Sequence, residues 1–409
     1  MEDLSWIFSD LKLRYGWGQT GNQEISNTAI YNIFVPDYGV ADTTWDTVRG
    51  TAYDIDGNGG GMLPSGFKLE QRGNDDLKWE PTTQSNIGLD FGLFQQAVYG
   101  SFEYFIKETD DILVNPPYLA AIGEGGKRWL NGASMENKGF ESSLGYRKST
   151  YGGFSYDISA NISSYRNKVT HLPEDVQNAY GGDGDQDNIL GRPLDSMYGY
   201  VADGIFRTAD EVNQHALQDG KGLGRIRYKD LNGDEEITSE DRAWIGSPHP
   251  DFIWGLNINL EYKNFDLSVF FQGVQNIDAN VHDMKGNTDF WSVSETGSNK
   301  GTRLLDAWSP SNPGSDIPAL QSIDINWEQR FSTYYVENVS YLKLRNIQLG
   351  YSLPREISQR IKMERMRFYV TGQNLLTITS KNFSGVDPET PGFGYPIPAS
   401  FTLGLNVSF

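Results

Sequence analysis

The sequence contains no cysteine in its 409 residues, which excludes disulfide bonds, thiolate nucleophiles and metal sites bound by cysteine. Basic residues are also few, since 34 Lys and Arg stand against 54 Asp and Glu and leave a formal net charge of −20. Phosphate backbones are bound by clustered Lys and Arg, so this balance argues against nucleic acid as a partner. No run of about 20 apolar residues occurs, and no helical membrane span is therefore predicted.

Aromatic residues and glycine are abundant, with 22 Tyr, 21 Phe, 10 Trp and 45 Gly. This composition favours short strands, aromatic girdles and many turns. The last nine residues, 401–409, alternate apolar with small or polar side chains, so one face of a strand there carries an unbroken apolar row. Such a strand is typical of the closing strand of an outer-membrane barrel, and an edge strand of a soluble sandwich fits this segment equally well.

Ten segments have the length and alternation of strands that cross a bilayer at a tilt, for which about 9–11 residues suffice. The clearest runs from Phe252 to Tyr262, where six apolar side chains share one face. Each of these is worth about 1.5–3 kcal/mol on leaving water, so the row is not expected to face solvent. The predicted strands lie near residues 10–19, 84–95, 100–114, 136–148, 154–168, 252–263, 265–275, 340–353, 366–378 and 399–409.

The connections between these strands alternate between short links and long excursions, the longest being residues 169–251. Outer-membrane barrels have short periplasmic turns and long extracellular loops, so the pattern predicts an all-β, antiparallel up-and-down transmembrane β-barrel. Residues 194–206 have strand character but fall within a long excursion, and they are expected to be extracellular loop structure. The link from Pro354 to Arg365 is predicted to form one or two helical turns.

Seven stretches distributed from end to end are distinctive together, although none is diagnostic alone. They are residues 11–22 (LKLRYGWGQTGN), 77–90 (LKWEPTTQSNIGLD), 136–141 (ENKGFE), 198–206 (YGYVADGIF), 262–274 (YKNFDLSVFFQGV), 340–354 (SYLKLRNIQLGYSLP) and 372–377 (GQNLLT). In this order they resemble the C-terminal part of the SusC/RagA family, the TonB-linked outer-membrane transporters of Bacteroidota.

This resemblance implies active uptake of nutrients such as glycans or peptides across the outer membrane of a Gram-negative bacterium. It also implies two partners, a SusD-like surface lipoprotein that acts as a lid and TonB as the source of energy. Transporters of this kind close at roughly 22 strands around a plugged lumen, so the chain would hold somewhat less than half of the barrel wall. A ten-stranded barrel that closes on itself is the less favoured alternative.

The resemblance departs from the family at the beginning of the chain. The plug, the TonB-contacting segment and the earlier strands have no counterpart in residues 1–409. Residues 1–8 (MEDLSWIF) also lack the basic region and the apolar stretch of a signal peptide. A barrel sequence without an export signal is expected to be a fragment of a longer precursor, and the fragment alone is not expected to transport anything.

The sharpest local motif is the acidic segment 230–241 (DLNGDEEITSED). Its oxygen-bearing residues match positions 1, 3, 5, 7 and 12 of an EF-hand or dockerin-like calcium loop, with Ile237 at the usual apolar position. Glu235 stands where glycine normally makes the sharp turn, and an acidic turn without calcium is the alternative. The predicted ligands of a structural Ca²⁺ are Asp230, Asn232, Asp234, Glu236 and Asp241.

The remaining polar motifs give no support to an enzyme. The acidic, glycine-rich run 174–187 is expected to be a solvated loop, with a second cation site or a substrate-facing loop as the alternative. Residues 123–127 (GEGGK) lack the spacing and the hydroxyl residue of a phosphate-binding loop. The histidines are scattered without metal-ligand spacing or a nucleophile context: His171, His215, His249 and His282.

Aromatic loop residues support a competing hypothesis, a soluble secreted β-protein that binds glycans through them. The residues concerned are Tyr118, Trp129, Trp291, Trp308 and Trp327. Anchoring of the loops is the favoured interpretation of these side chains. Polar residues on the last strands are expected to face the lumen, namely Lys343, Arg345, Gln348, Arg367 and Gln373. The alternation within residues 340–353 is irregular, and no firm inward or outward facing is predicted there.

Overall fold

The computed structural model describes residues 6–37, 66–115, 128–173, 188–286, 301–320, 328–392 and 394–409. In chain order, its strands are β1 (Phe8–Asn22), β2 (Ile33–Asp37), β3 (Gly66–Gln71), β4 (Glu80–Leu93), β5 (Val98–Val114), β6 (Leu130–Ser149), β7 (Phe154–His171), β8 (Met197–Tyr200), β9 (Ala202–Ile205), β10 (Ile226–Tyr228), β11 (Arg242–Gly246), β12 (Phe252–Tyr262), β13 (Phe265–Gln275), β14 (Asp278–Asn280), β15 (Val336–Asn338), β16 (Tyr341–Ser352), β17 (Arg365–Thr379) and β18 (Ser400–Ser408).

Ten of these strands form a single sheet in which chain order and spatial order agree: β1, β4, β5, β6, β7, β12, β13, β16, β17 and β18. Every neighbouring pair is antiparallel. The ten strands predicted from the sequence are thereby confirmed, with bounds that differ by a few residues. Within the described residues β1 and β18 are the two edges of an open sheet, which contradicts the ten-stranded barrel that closes on itself.

The connections alternate as predicted. Residues 94–97, 150–153, 263–264 and 353–364 form the short links, and the other connections within the ten-stranded sheet are long. We call the edge that carries the short links the turn end, and the opposite edge the loop end. The chain enters β1 at the turn end, where Phe8 lies beside Leu93, and leaves β18 there, where Ser408 lies beside Arg365.

One face of the sheet, which we call the apolar face, carries apolar side chains on all ten strands. Leu89 lies between Leu13 and Phe102 in the register, and Ile258 lies between Ile158 and Val269. Many of these side chains are exposed, for example Leu13 at 72%, and the others, such as Ile258 and Val269, are half-buried rather than packed in a core. The other sheets of the described residues are two-stranded, so no second sheet covers the apolar face. The soluble sandwich is therefore wrong as an interpretation of these rows.

The buried apolar clusters lie at and beyond the loop end instead of beneath the sheet. The first joins the ends of β5, β6 and β7 to the following loop and consists of Val114, Ala133, Val169, Leu172 and Ile189. The second lies within the long excursions and consists of Ile226, Tyr228, Ile237 and Tyr335. Folding therefore buries apolar surface within the loops, while the apolar face of the sheet stays open to its surroundings.

Short strands organise the loops. β8 pairs with β11 and β9 with β10, so residues 194–206 are loop structure outside the ten-stranded sheet, as predicted. β2 pairs with β3, and β14 with β15. Each of these two-stranded sheets is separate from the ten-stranded sheet, whose members we call the wall strands.

Three short α-helices occur in the described residues: α1 (Ala209–Gln214), α2 (His282–Lys285) and α3 (Arg355–Arg360). Pro354 is the N-cap of α3, which confirms the helical turns predicted in that link, because proline fixes a backbone angle suited to a helix start. No helix in the described part of the chain is long and apolar enough to cross a membrane.

A register shift explains the irregular alternation of β16. The pairing of β16 with both of its neighbours is interrupted between Leu344 and Asn346. Arg345 is the residue at this bulge, and its side chain bonds to Gln272 on the polar face of β13. Lys343, Arg345 and Asn346 therefore share that face, a consequence that strict alternation does not predict.

Candidate functional site

The second face of the sheet, which we call the polar face, is lined by paired charges and small side chains. Arg14 on β1 bonds to Asp90 on β4 at 2.8 Å and to Glu103 on β5 at 2.9 Å. The bond to Glu103 passes over Gly88, the residue of β4 that lies between Arg14 and Glu103 in the register. A Cβ at Gly88 would approach the guanidinium to 2.9 Å, so glycine leaves the room that this pairing needs.

The same arrangement recurs further along the polar face. The hydroxyl of Tyr99 on β5 donates to Asp157 on β7 at 2.7 Å, across Gly145 on β6. Asp266 on β13 pairs with Arg367 on β17 across Gly350 on β16. Side chains two strands apart can meet only if the strand between them contributes no side chain. The result is a wall on which charged and polar side chains are paired across the intervening glycines.

At the loop end, a cluster of charged groups holds the last long loop against β16. Lys343 is 1% exposed and its Nζ donates to Asp387 at 2.7 Å and to Glu389 at 2.6 Å. Arg345 also pairs with Glu389, and the hydroxyl of Tyr341 donates to it at 3.0 Å. These contacts place Lys343 and Arg345 on the polar face, for which the irregular alternation gave no firm prediction. Their acidic partners were not singled out in the sequence because they lie 44–46 residues further along.

The carboxylates of this loop-end cluster are stabilised in their charged forms. Burial alone would raise the pKa of Glu389, but hydrogen bonds from Arg345, Lys343 and Tyr341 outweigh it and hold that pKa below its ordinary value. Burial also opposes ionisation of Asp387, and its pKa is nevertheless lowered by Lys343 and by the backbone N–H groups of Glu389 and Ile397. Both carboxylates of the cluster are therefore ionised at neutral pH.

Known proteins with a similar sequence or fold are TonB-dependent receptors and a transporter. No family model matches the chain. The chain is 32% identical to TonB-dependent receptor P3 of Formosa agariphila over 97% of its own length and 39% of the receptor's. It is 29% identical to TonB-dependent receptor SusC of Bacteroides thetaiotaomicron over 98% of its own length and 38% of that receptor's. The solved RagAB peptide transporter shares its fold, with a TM-score of 0.76 at 24% identity over 99% of this chain and 41% of that one.

Over nearly its whole length the chain is similar to the barrel region of SusC/RagA-like receptors. It spans about two fifths of the length of the curated relatives named here. These relatives are named as receptors, and the solved neighbour as a transporter, not as enzymes. The predicted resemblance and the predicted fold class are confirmed.

The calcium-like loop lies between β10 and β11, outside the ten-stranded sheet. Both oxygens of Asp230 accept backbone N–H groups, from Gly233 at 2.6 Å and Glu235 at 2.9 Å. Asp241 is fully buried, and its two oxygens accept from Leu231 at 2.7 Å and Thr238 at 2.8 Å. These bonds close the loop through its own backbone.

The geometry of this loop leaves calcium binding untested. Glu235 has a φ of +66°, the left-handed conformation that its position in the motif demands. Ile237 is buried in the second loop cluster, as the motif predicts for that position. Among the described residues, however, no group of three or more His, Asp or Glu side chains is arranged to hold a metal ion. Calcium at Asp230, Asn232, Asp234, Glu236 and Asp241 stays a prediction.

Of the five loop aromatics considered for glycan binding, the structure describes two, Trp129 and Trp308. Trp308 is only 9% exposed, and its ring lies against Gly224, so it anchors a loop and offers no open platform to a sugar. Trp129 is half-buried. Tyr118, Trp291 and Trp327 lie outside the described residues, as do the runs 123–127 and 174–187.

The histidines remain separate from one another in their surroundings. His249 contacts Tyr165 and the carbonyl of Leu194, and His282 contacts the carbonyl of Gln329. His215 packs edge-on against Phe206, and burial lowers its pKa. The hydroxyl that His249 contacts belongs to Tyr165, and the carboxylate beside His282 belongs to its chain neighbour Asp283. These contacts do not link a histidine to a Ser or Thr hydroxyl and a carboxylate together, which is the arrangement that a nucleophile requires.

Proposed function

We propose that this barrel region forms part of the wall of a TonB-dependent outer-membrane importer of bulky nutrients, either glycans or peptides. The observation that carries the proposal is the division of the sheet into two faces. Its apolar face carries apolar side chains on all ten strands, many of them exposed, and suits contact with lipid, while its polar face suits a hydrated passage.

The ends of the sheet support an orientation for this wall. Outer-membrane barrels have short turns on the periplasmic side, so the turn end is assigned to the periplasm and the loop end to the cell exterior. The long loops then form the external mouth, where a SusD-like surface lipoprotein would act as a lid. TonB would supply the energy from the periplasmic side, as the names of the relatives suggest for those proteins.

The experiment is an uptake measurement in cells that carry the full-length protein. A strain without its gene is expected to lose uptake of one class of labelled nutrient, oligosaccharide or peptide, and the restored gene should recover it. Inactivation of TonB should abolish the recovered uptake. Uptake that is unchanged by loss of the gene, or that persists at full rate without TonB, would contradict the proposed function.

A further inference from the structure

The polar face changes character at the loop end of four neighbouring wall strands. Ile253 on β12 lies beside Val274 on β13, and Val274 lies beside Tyr341 on β16. Tyr165 on β7 occupies the adjoining position of the same face. Elsewhere this face carries mainly paired charges, Ser, Asn and Gly, with separate aromatic side chains such as Phe105 and Phe270 among them. Four apolar or aromatic residues on neighbouring strands therefore mark a local surface of different composition.

This row forms the floor of a pocket of about 710 Å³, which we call the mouth pocket. That volume is in the range of about 300–1,000 Å³ typical of ligand sites. Its walls come from the loops and are mostly aliphatic, with Ile277 and Val339 beside the floor. Four prolines complete it: Pro248, Pro250, Pro388 and Pro391. Proline and strand residues lose little freedom when a ligand binds, so the mouth pocket is preformed.

The charge at the mouth pocket is entirely negative. Asp195, Asp278 and Glu389 line it, while no Lys, Arg or His among the described residues does. Glu389 is neutralised by Lys343 and Arg345, and Asp278 accepts a backbone N–H from Ser247 at 3.2 Å. Asp195 is exposed and has a φ of +59°, a left-handed conformation that a non-glycine residue adopts at a cost. Strained residues of this kind concentrate at binding sites.

We infer that the mouth pocket binds a peptide that carries an apolar side chain next to a cationic one. This inference rests on the proposed function and names its substrate class. An aliphatic wall strips water from the hydroxyls of a sugar without replacing their hydrogen bonds, which disfavours a glycan. An apolar side chain loses nothing there, and its basic neighbour meets the carboxylates of Asp195 and Asp278 at the rim.

Binding is measured with full-length protein in detergent, by fluorescence anisotropy of a labelled Lys-Leu-Leu-Lys peptide. Unlabelled Lys-Leu-Leu-Lys should displace the label at least about tenfold better than Lys-Ser-Ser-Lys, which lacks the apolar side chains. It should also displace the label better than Glu-Leu-Leu-Glu, in which the charge is reversed. A neutral glucan hexasaccharide should not compete.

Two variants locate the binding. Ala279→Trp places a large ring in the mouth pocket, and it should weaken binding by at least about tenfold, whereas Ala209→Trp on the exposed start of α1 should not. Asp195→Asn keeps a residue that tolerates the left-handed backbone conformation. It should weaken binding of the cationic peptide by about two- to fivefold, whereas Asp219→Asn should have no effect. If Ala279→Trp does not fold, Ile277→Ala serves instead and should also weaken binding.

Displacement of the label by the hexasaccharide, or equal binding by wild type and a folded Ala279→Trp, would overturn the inference. The binding measurement needs neither TonB nor a membrane potential. If the peptide does not bind as expected but TonB-dependent uptake is observed, only the peptide pocket is rejected. If TonB-dependent uptake itself is not observed, the proposed function is rejected.

Discussion

At the scale of single residues, the polar face depends on where side chains are missing. Tyr99 reaches Asp157 only because Gly145 stands on the strand between them. A hydrogen bond to a carboxylate contributes about 1.5–3 kcal/mol when both partners are in place, and this one requires a particular arrangement on three consecutive strands. Position 145 requires glycine because the ring of Tyr99 occupies the volume that a Cβ would take.

This argument predicts that Gly145→Ala destabilises the barrel region by about 1–3 kcal/mol, because the ring of Tyr99 must move and its bond to Asp157 is lost. Gly18→Ala is the matched control, since a Cβ at Gly18 meets nothing within 4 Å and its effect should stay within about 0.5 kcal/mol. The measurement is the temperature at which each variant loses its folded mobility on a gel. Equal temperatures for the two variants would contradict the argument.

The loop-end cluster predicts a pH dependence. Asp and Glu titrate at 3.8 and 4.5 without their partners, and both Asp387 and Glu389 have lowered pKa values when folded. Their contribution is therefore complete above about pH 4.5, and it is lost as the pH falls through the lower folded values. Hydrogen exchange of residues 384–392 and 394–398, corrected for its intrinsic rate, should be slow at pH 7 and should accelerate towards pH 3.

Lys343→Met provides the control for this pH dependence. The cation lowers the pKa of both carboxylates, so its removal should move the acceleration to higher pH. It should also cost about 3–5 kcal/mol of loop stability at pH 7, because the buried carboxylate of Asp387 loses its partner. An unchanged exchange profile would show that the cluster does not anchor the loop.

At the scale of secondary-structure elements, each wall strand has one face for each environment. Leu256 lies beside Phe271 on the apolar face, and Asn257 lies beside Ser159 on the polar face. We predict that Leu256→Arg impairs assembly by about 2–4 kcal/mol if it is near the bilayer midplane, whereas Asn257→Arg is tolerated. The fraction of folded protein in isolated outer membranes measures this. Similar yields for the two variants would reverse the assigned facing.

The loop 230–241 provides a second prediction at this scale. Calorimetric titration with calcium should show heat that Asp230→Ala abolishes, because Asp230 is the first ligand of the predicted site. Asp283→Ala, an acid outside the loop, should leave the heat unchanged. If wild type and Asp230→Ala give identical traces, the segment is an acidic turn that its backbone bonds hold closed.

At the scale of the whole molecule, the apolar face requires lipid or detergent to cover it. Side chains such as Leu403, at 86% exposed, and Phe401, at 75%, would each gain about 1.5–3 kcal/mol by leaving water. We predict that the protein stays monodisperse in detergent and aggregates when detergent is removed, which size-exclusion chromatography measures. Material that stays monodisperse without detergent would contradict contact of this face with lipid.

The sequence predicted the wall more accurately than the loops. Each wall strand repeats one simple pattern, so alternation alone located all ten, including Phe252–Tyr262. Alternation failed at Arg345, because a bulge breaks the period of two. It also gave no sign of the mouth pocket, whose floor and walls come from segments as far apart as Tyr165 and Pro391.

Period and connection length therefore determined the fold class, the topology and the two faces of this protein by themselves, because each is a local property of the chain. The tertiary structure alone decided which charges meet: Arg14 with Glu103 and Lys343 with Asp387. Such pairs depend on register across strands and on where a distant loop returns. The sequence contains those residues, but the distance between them is set only when the sheet forms.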